Sequence, residues 1–90
     1  MTIRRTKIEI IHDILNSIQL KGGKIKPTHL LYKSNLSHNV LKEYVEELKY
    51  KKMITETQRD GKKEYQITEY GLSYLVEFKK IKDFTDSFGL

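Results

Sequence analysis

Ile11, Ile14, Leu15 and Ile18 recur at the i, i+3, i+4, i+7 spacing of one helical face, which predicts a helix over residues 6–20. Thr6, followed three residues later by Glu9, has the form of a capping box at its start, and Gly22 and Gly23 end it. Lys24 to Lys26 leave room only for a short edge strand. Pro27 suits the first turn of a second helix running to about Lys33, with Leu30 and Leu31 on its apolar side. Ser34 and Asn35 leave a helix easily, and Leu36 plugs the turn. Ser37 then caps a third helix to about Lys51, whose apolar face is Leu41, Tyr44, Val45 and Leu48. Two helices around a three-residue turn predict a helix-turn-helix, in which the short first helix braces the second so that its outer face projects.

From Met53 the period becomes extended. Residues 54–59 and 62–67 flank Asp60-Gly61, the dipeptide that most strongly signals a two-residue hairpin. With Asp60 and Gly61 at the centre of the turn, Ile54 pairs with Ile67 and Glu56 with Tyr65, so both isoleucines share a face. Thr68 caps a last helix in which Leu72, Leu75 and Val76 continue toward Phe78 and Ile81, while Gly71 in its first turn permits close approach of another backbone. A polar tail from Lys82 carries Phe84 and Phe88. The expected class is α+β, mostly helical: three helices, a two-stranded hairpin and a C-terminal helix.

At 90 residues and 38% hydrophobic content the chain has room for one core. It contains no cysteine, which excludes disulfides, thiolate metal sites and thiol nucleophiles. No run approaches the roughly 18 apolar residues of a membrane span, and no signal-peptide pattern follows Arg4, Arg5 and Lys7, so a cytoplasmic protein is expected. The net charge of +5 is uneven: residues 1–33 hold seven Lys and Arg against two acids, residues 34–90 ten against ten. A polyanion partner such as nucleic acid fits that excess.

The order of elements, with the stretch Lys26-Pro27-Thr28-His29-Leu30-Leu31-Tyr32-Lys33-Ser34-Asn35-Leu36-Ser37, the segment Leu41 to Leu48, and Tyr65-Gln66-Ile67-Thr68-Glu69-Tyr70-Gly71, resembles the archaeal winged helix-turn-helix regulator family over about residues 6–82. The likeness extends to small archaeal nucleoid proteins whose last helix pairs antiparallel with that of a second subunit. It implies a nucleoid-associated homodimer on double-stranded DNA, with residues 1–67 as the DNA-binding core and residues 68–90 as the dimerisation element, through Leu75, Phe78, Ile81, Phe84 and Phe88. A helix from Thr68 to Asp83 spans about 22 Å, short for a coiled-coil rod.

In such a motif the first turn of the third helix approaches base edges, here Ser37, His38, Asn39 and Lys42. Lys33, Ser34 and Asn35 in the turn are placed for phosphates; Tyr32 before it either joins them or packs on Leu36. Arg59, Lys62 and Lys63 around the hairpin tip put cations on a wing able to follow the backbone or minor groove. Arg4, Arg5 and Lys7 form either a further basic arm or a frayed terminus. Glu43, Glu46 and Glu47 oppose this reading, since carboxylates facing DNA are repelled by phosphates; position 46 borders the reading face.

Catalytic chemistry is not indicated. His12, His29 and His38 lie in three segments without metal-site spacing, His12 and Asp13 read as a surface pair, and no Gly-rich phosphate loop occurs. Neither cofactor, metal nor small-molecule substrate is expected. The rival functions are a protein-interaction adaptor, for which Phe84, Phe88 and the acidic third helix would serve, and RNA binding, for which an aromatic platform is lacking.

Overall fold

The computed structural model describes residues 5–89. Helix α1 (Lys7–Leu20) opens with the capping box, the Thr6 hydroxyl accepting from the Glu9 amide while the Glu9 carboxylate accepts from the Thr6 amide. Its stripe of Ile11, Ile14, Leu15 and Ile18 is buried, the last three completely. Strand β1 (Lys24–Ile25) follows, then helix α2 (Pro27–Ser34), helix α3 (His38–Tyr50), strands β2 (Ile54–Arg59) and β3 (Lys62–Ile67), and helix α4 (Glu69–Ser87).

Asn35 adopts the left-handed conformation (φ 56°, ψ 36°) that ends α2, and with Leu36 and Ser37 forms the three-residue turn. At the hairpin, Asp60 (φ 53°) and Gly61 (φ 75°) both have positive φ, the requirement of a type I′ turn whose twist matches that of the strands. The ladder runs Ile54↔Ile67, Glu56↔Tyr65 and Arg59↔Lys62, and buries Ile54, Tyr65 and Ile67 on one face. Strand β1 pairs antiparallel with the other edge of β3, so the wing is part of a three-stranded sheet of order β1-β3-β2 rather than a free two-stranded ribbon. One core joins α1, α2, α3, the sheet and the first half of α4, with Leu30, Leu48 and Ile25 at its centre.

Two expectations for the C-terminal segment are corrected. The helix does not give way to a tail near Lys82 but continues to Ser87, placing Phe84 within it and Phe88 at its C-cap. Continuous i, i+4 pairs, Lys79 with Asp83 at 3.0 Å and Lys82 with Asp86 at 3.6 Å, fit this extension. Leu75 is not available to a second subunit, and Phe78 is partly taken up within the chain. Leu75 is 8% exposed within the chain's own core, and the Phe78 ring stacks on His12 with centroids 4.2 Å apart. The Tyr74 hydroxyl, donating to the Ile8 carbonyl at 2.7 Å, ties the same half of α4 to α1. Ile81, Phe84 and Phe88 remain exposed, the two phenylalanine rings 5.0 Å apart.

The corner between β3 and α4 is closely packed. Thr68 caps α4 by accepting from the Gly71 amide, donates its hydroxyl to the Lys52 carbonyl at 2.6 Å, and its amide bonds the Met53 carbonyl. A Cβ on Gly71 would lie 2.5 Å from that carbonyl oxygen and 2.6 Å from Cγ1 of Ile67. Gly71→Ala is therefore expected to destabilise the fold by about 1–3 kcal/mol, the usual cost of overpacking, seen as a lower urea midpoint; an unchanged midpoint would contradict the close approach.

Candidate nucleic-acid interface

The angular spacing of α3 turns Leu41, Val45 and Leu48 inward and leaves Asn39, Lys42, Glu43, Glu46 and Tyr50 on the outer face, all exposed. Ser37 spends its hydroxyl on the helix itself, accepting from the Val40 amide at 3.3 Å, so its base-reading role is secondary to capping. His38, Asn39 and Lys42 stand exposed beside it. Tyr32 does not pack on Leu36; it is 81% exposed, with Lys33 and Asn35 exposed next to it.

Ser34 is the exception in the turn. It is 1% exposed, its hydroxyl donates to the Leu31 carbonyl, and its own carbonyl accepts from the Arg5 guanidinium at 3.0 Å. Buried, with its hydroxyl and carbonyl already bonded, it is not placed to meet a phosphate, and Ser34 leaves the candidate interface. Arg5 is likewise engaged, bonding Asp13 at 2.8 Å, and Lys7 bonds Glu47 at 2.8 Å, so these two cations brace the fold instead of forming an arm. Arg4 lies outside the described residues.

Ion pairing divides the surface. On α4, Lys79, Lys80 and Lys82 each pair with a carboxylate of the same helix. Behind α3, Glu47 is held by Lys7 and Lys51, and its carboxyl sits below the usual range chiefly because Lys7 donates to it. Lys49 bridges Glu46 at 3.3 Å and Glu56 at 3.0 Å, and Lys63 lies 3.6 Å from Glu56 with its ammonium over the Tyr65 ring. Lys63 therefore belongs to the wing's internal network more than to its outer surface. Among the described residues, Lys21, Lys24, Lys26, Lys33, Lys42, Arg59 and Lys62 enter no ion pair, and neither does Lys52 at the corner after α3.

Three of these cations were not apparent as site residues from motif logic. Lys26 joins Arg59 and Lys62, with the carboxylates of Asp60 and Glu64, around a recess of about 260 Å³ at the wing, because β1 runs along the edge of β3. Lys21, at the end of α1, lies close enough to His29 to act on it together with Lys33. Lys24 is exposed on β1 beside them. The signal in the sequence was the charge excess of residues 1–33, which lacked positions until the fold supplied them.

The geometry is that of a helix-turn-helix followed by a β-hairpin whose tip carries Arg59, Lys62 and Lys63 around Asp60. The chain belongs to the winged helix-turn-helix family, whose model matches residues 4–86. Among solved structures it is similar to Sso10a-2, a DNA-binding protein from Sulfolobus solfataricus, with a TM-score of 0.76 and 26% identity over 94% of this chain and 90% of that one. F93 from STIV, a winged-helix DNA-binding protein, shares the fold at a TM-score of 0.68 and 19% identity, over 87% of this chain and 90% of that one. So does BpsR of Bordetella bronchiseptica, whose DNA binding is regulated by 6-hydroxynicotinic acid, at 0.73 and 15%, with 87% of this chain matching 61% of that longer one. Comparison with curated proteins by sequence gives no significant match. Among the described residues no group of His, Asp or Glu is arranged to hold a metal ion, and no helix is long and apolar enough to cross a membrane.

His29 reports on the cationic band. Its pKa is lowered, first by desolvation and then by the charges of Lys21 and Lys33. Replacing Lys21 and Lys33 by Gln should raise the His29 pKa part of the way to its ordinary value, read from its imidazole NMR signals against pH; no movement would place the lysines elsewhere.

Proposed function

We propose that this chain binds double-stranded DNA as a transcription regulator or nucleoid-type architectural protein and performs no chemistry on it. The first turn of α3, with His38, Asn39 and Lys42, enters the major groove. Tyr32, Lys33, Asn35 and Ser37 meet the backbone at the turn, and Arg59 and Lys62 follow it along the wing, with Lys63 behind them and Lys26 beside them. The observation that carries this reading is the segregation of charge: ion pairs consume the cations of α4 and of the back of α3, and leave unpaired ones around the helix-turn-helix and wing. Membership of the winged helix-turn-helix family and likeness to a DNA-binding protein at 26% identity support it.

The test is affinity for a duplex across a salt series, by fluorescence anisotropy. About six phosphate contacts would give a log-log slope near −5, and substituting Lys26, Arg59 and Lys62 by Ala together should make it shallower by about 2–3. Absence of binding at low salt would refute the function, and an unchanged slope would remove the wing and β1 from the interface.

The assembly we propose is a homodimer through the outer face of α4, in the cytoplasm and associated with the nucleoid. The 19-residue helix is about 28 Å long and ends in Ile81 (64% exposed), Phe84 (67%) and Phe88 (66%), enough for a short antiparallel pairing. Light scattering should give twice the chain mass for the native protein and the single mass when Phe84 and Phe88 are both replaced by Glu. A native chain that scatters as a monomer at every concentration would contradict the dimer.

A further inference from the structure

Helix α3 carries three carboxylates, and the fold deals with them differently. Glu46 has Lys49 three residues on and is bonded to it; Glu47 has Lys51 four residues on, and Lys7 reaches it from α1. Glu43 has Asn39 and Val40 behind it and Glu46 and Glu47 ahead at the same helical spacings, so no cation of its own helix can meet it. It is exposed, enters no ion pair among the described residues, and stands one turn beyond Asn39 on the outward face. A bare carboxylate there has large consequences for a helix that enters a groove walled by phosphates.

Along most of a duplex such a group is only repelled. It gains most at the N4 amino group of cytosine, a donor with no acceptor on its own base's major-groove edge; the adenine amino group is flanked by its own N7 and by thymine O4, and guanine and thymine present acceptors to it. Asn39, by contrast, has the paired donor and acceptor that suit adenine. The two side chains are four residues apart, about 6 Å along the helix, against a base-pair rise of about 3.4 Å.

Resting on the DNA-binding reading above, we propose that Glu43 is a specificity-determining residue: it reads a cytosine one or two base pairs from an adenine read by Asn39, and by repulsion lowers affinity for duplexes lacking that cytosine. The chain is then a sequence-selective binder and not a uniform coat. Glu46, clamped by Lys49, adds negative charge nearby but reads nothing.

Selection from a pool of random duplexes, followed by sequencing, tests this with the native chain, Glu43→Ala and Glu46→Ala. The native chain should enrich a cytosine at fixed spacing from an adenine. Glu43→Ala should lose the cytosine preference, keep the adenine, and bind a duplex of A·T pairs about tenfold more tightly than the native chain. Glu46→Ala should keep both preferences, separating base reading from simple loss of charge. Binding by the native chain without base preference, or a cytosine preference that survives Glu43→Ala, would overturn the assignment while leaving DNA binding intact. No binding of the native chain to the pool would overturn DNA binding itself, and this inference with it.

Discussion

The buried stripe of α1 is the surface on which the rest of the protein is seated. Ile14, Leu15 and Ile18 are wholly excluded from solvent, and α2, α4 and β3 all pack against that helix. A domain of this size is stable by about 5–15 kcal/mol, whereas truncating one such side chain to Ala costs about 2–5 kcal/mol, so few of these contacts can be lost. The helix-turn-helix has no independent hold on its geometry. Leu30 of α2 and Leu41 and Leu48 of α3 share the same core, and the Arg5 guanidinium, anchored on Asp13 of α1, bonds the last carbonyl of α2. The angle at which α3 is presented is thus inherited from α1.

Electrostatics is arranged on that scaffold by pairing and not by excess alone. Each surface pair contributes little to stability at ordinary ionic strength. Their collective effect is on where charge is left over: every lysine of α4 is paired, Glu46 and Glu47 are satisfied, and the unpaired cations lie mainly on α2, β1, α3 and the wing, with Lys21 at the end of α1 and Lys52 after α3. A polyanion meets an attractive band opposed by the unpaired Glu43 on α3, with Glu46 beside it, and by Asp60 at the wing tip. This is how a chain with only modest net charge can present a directed field.

Helix α4 shows the same division of labour along its length. Its first half is structural, with Gly71 against the Met53 carbonyl, Leu75 in the core, Tyr74 bonded to α1 and Phe78 stacked on His12. Beyond Phe78 the helix leaves the core, and Ile81, Phe84 and Phe88 are exposed among the described residues, the two phenylalanines meeting only each other as rings. A protein of this size does not gain from three solvated apolar side chains in a row, and that exposure is what motivates the subunit contact proposed for the second half of α4.

What the sequence by itself determined is what local chemistry determines. The stripe of α1, the capping box at Thr6, the helix-turn-helix break at Asn35 and the Asp60-Gly61 turn with its register all follow from neighbours close in sequence, and all are present in the fold; the glycine at position 71 is required by the Met53 carbonyl, which only the fold brings against it. The exposed start of α3 was legible for the same reason. The tertiary structure decided which polar and apolar groups are already spoken for. Arg5 meets Ser34 across 29 residues of sequence, Lys7 meets Glu47 across 40, and Tyr74 meets Ile8 across 66; these contacts withdrew Ser34, Arg5 and Lys7 from the DNA surface. The pairing of β1 with β3 brought Lys26 beside Arg59 and Lys62, and the packing of α4 on α1 buried Leu75 and set Phe78 against His12. Periodicity tells a side chain which way to face along its own helix, but its partner on another element is set by how the core closes, and no spacing in the chain encodes that distance.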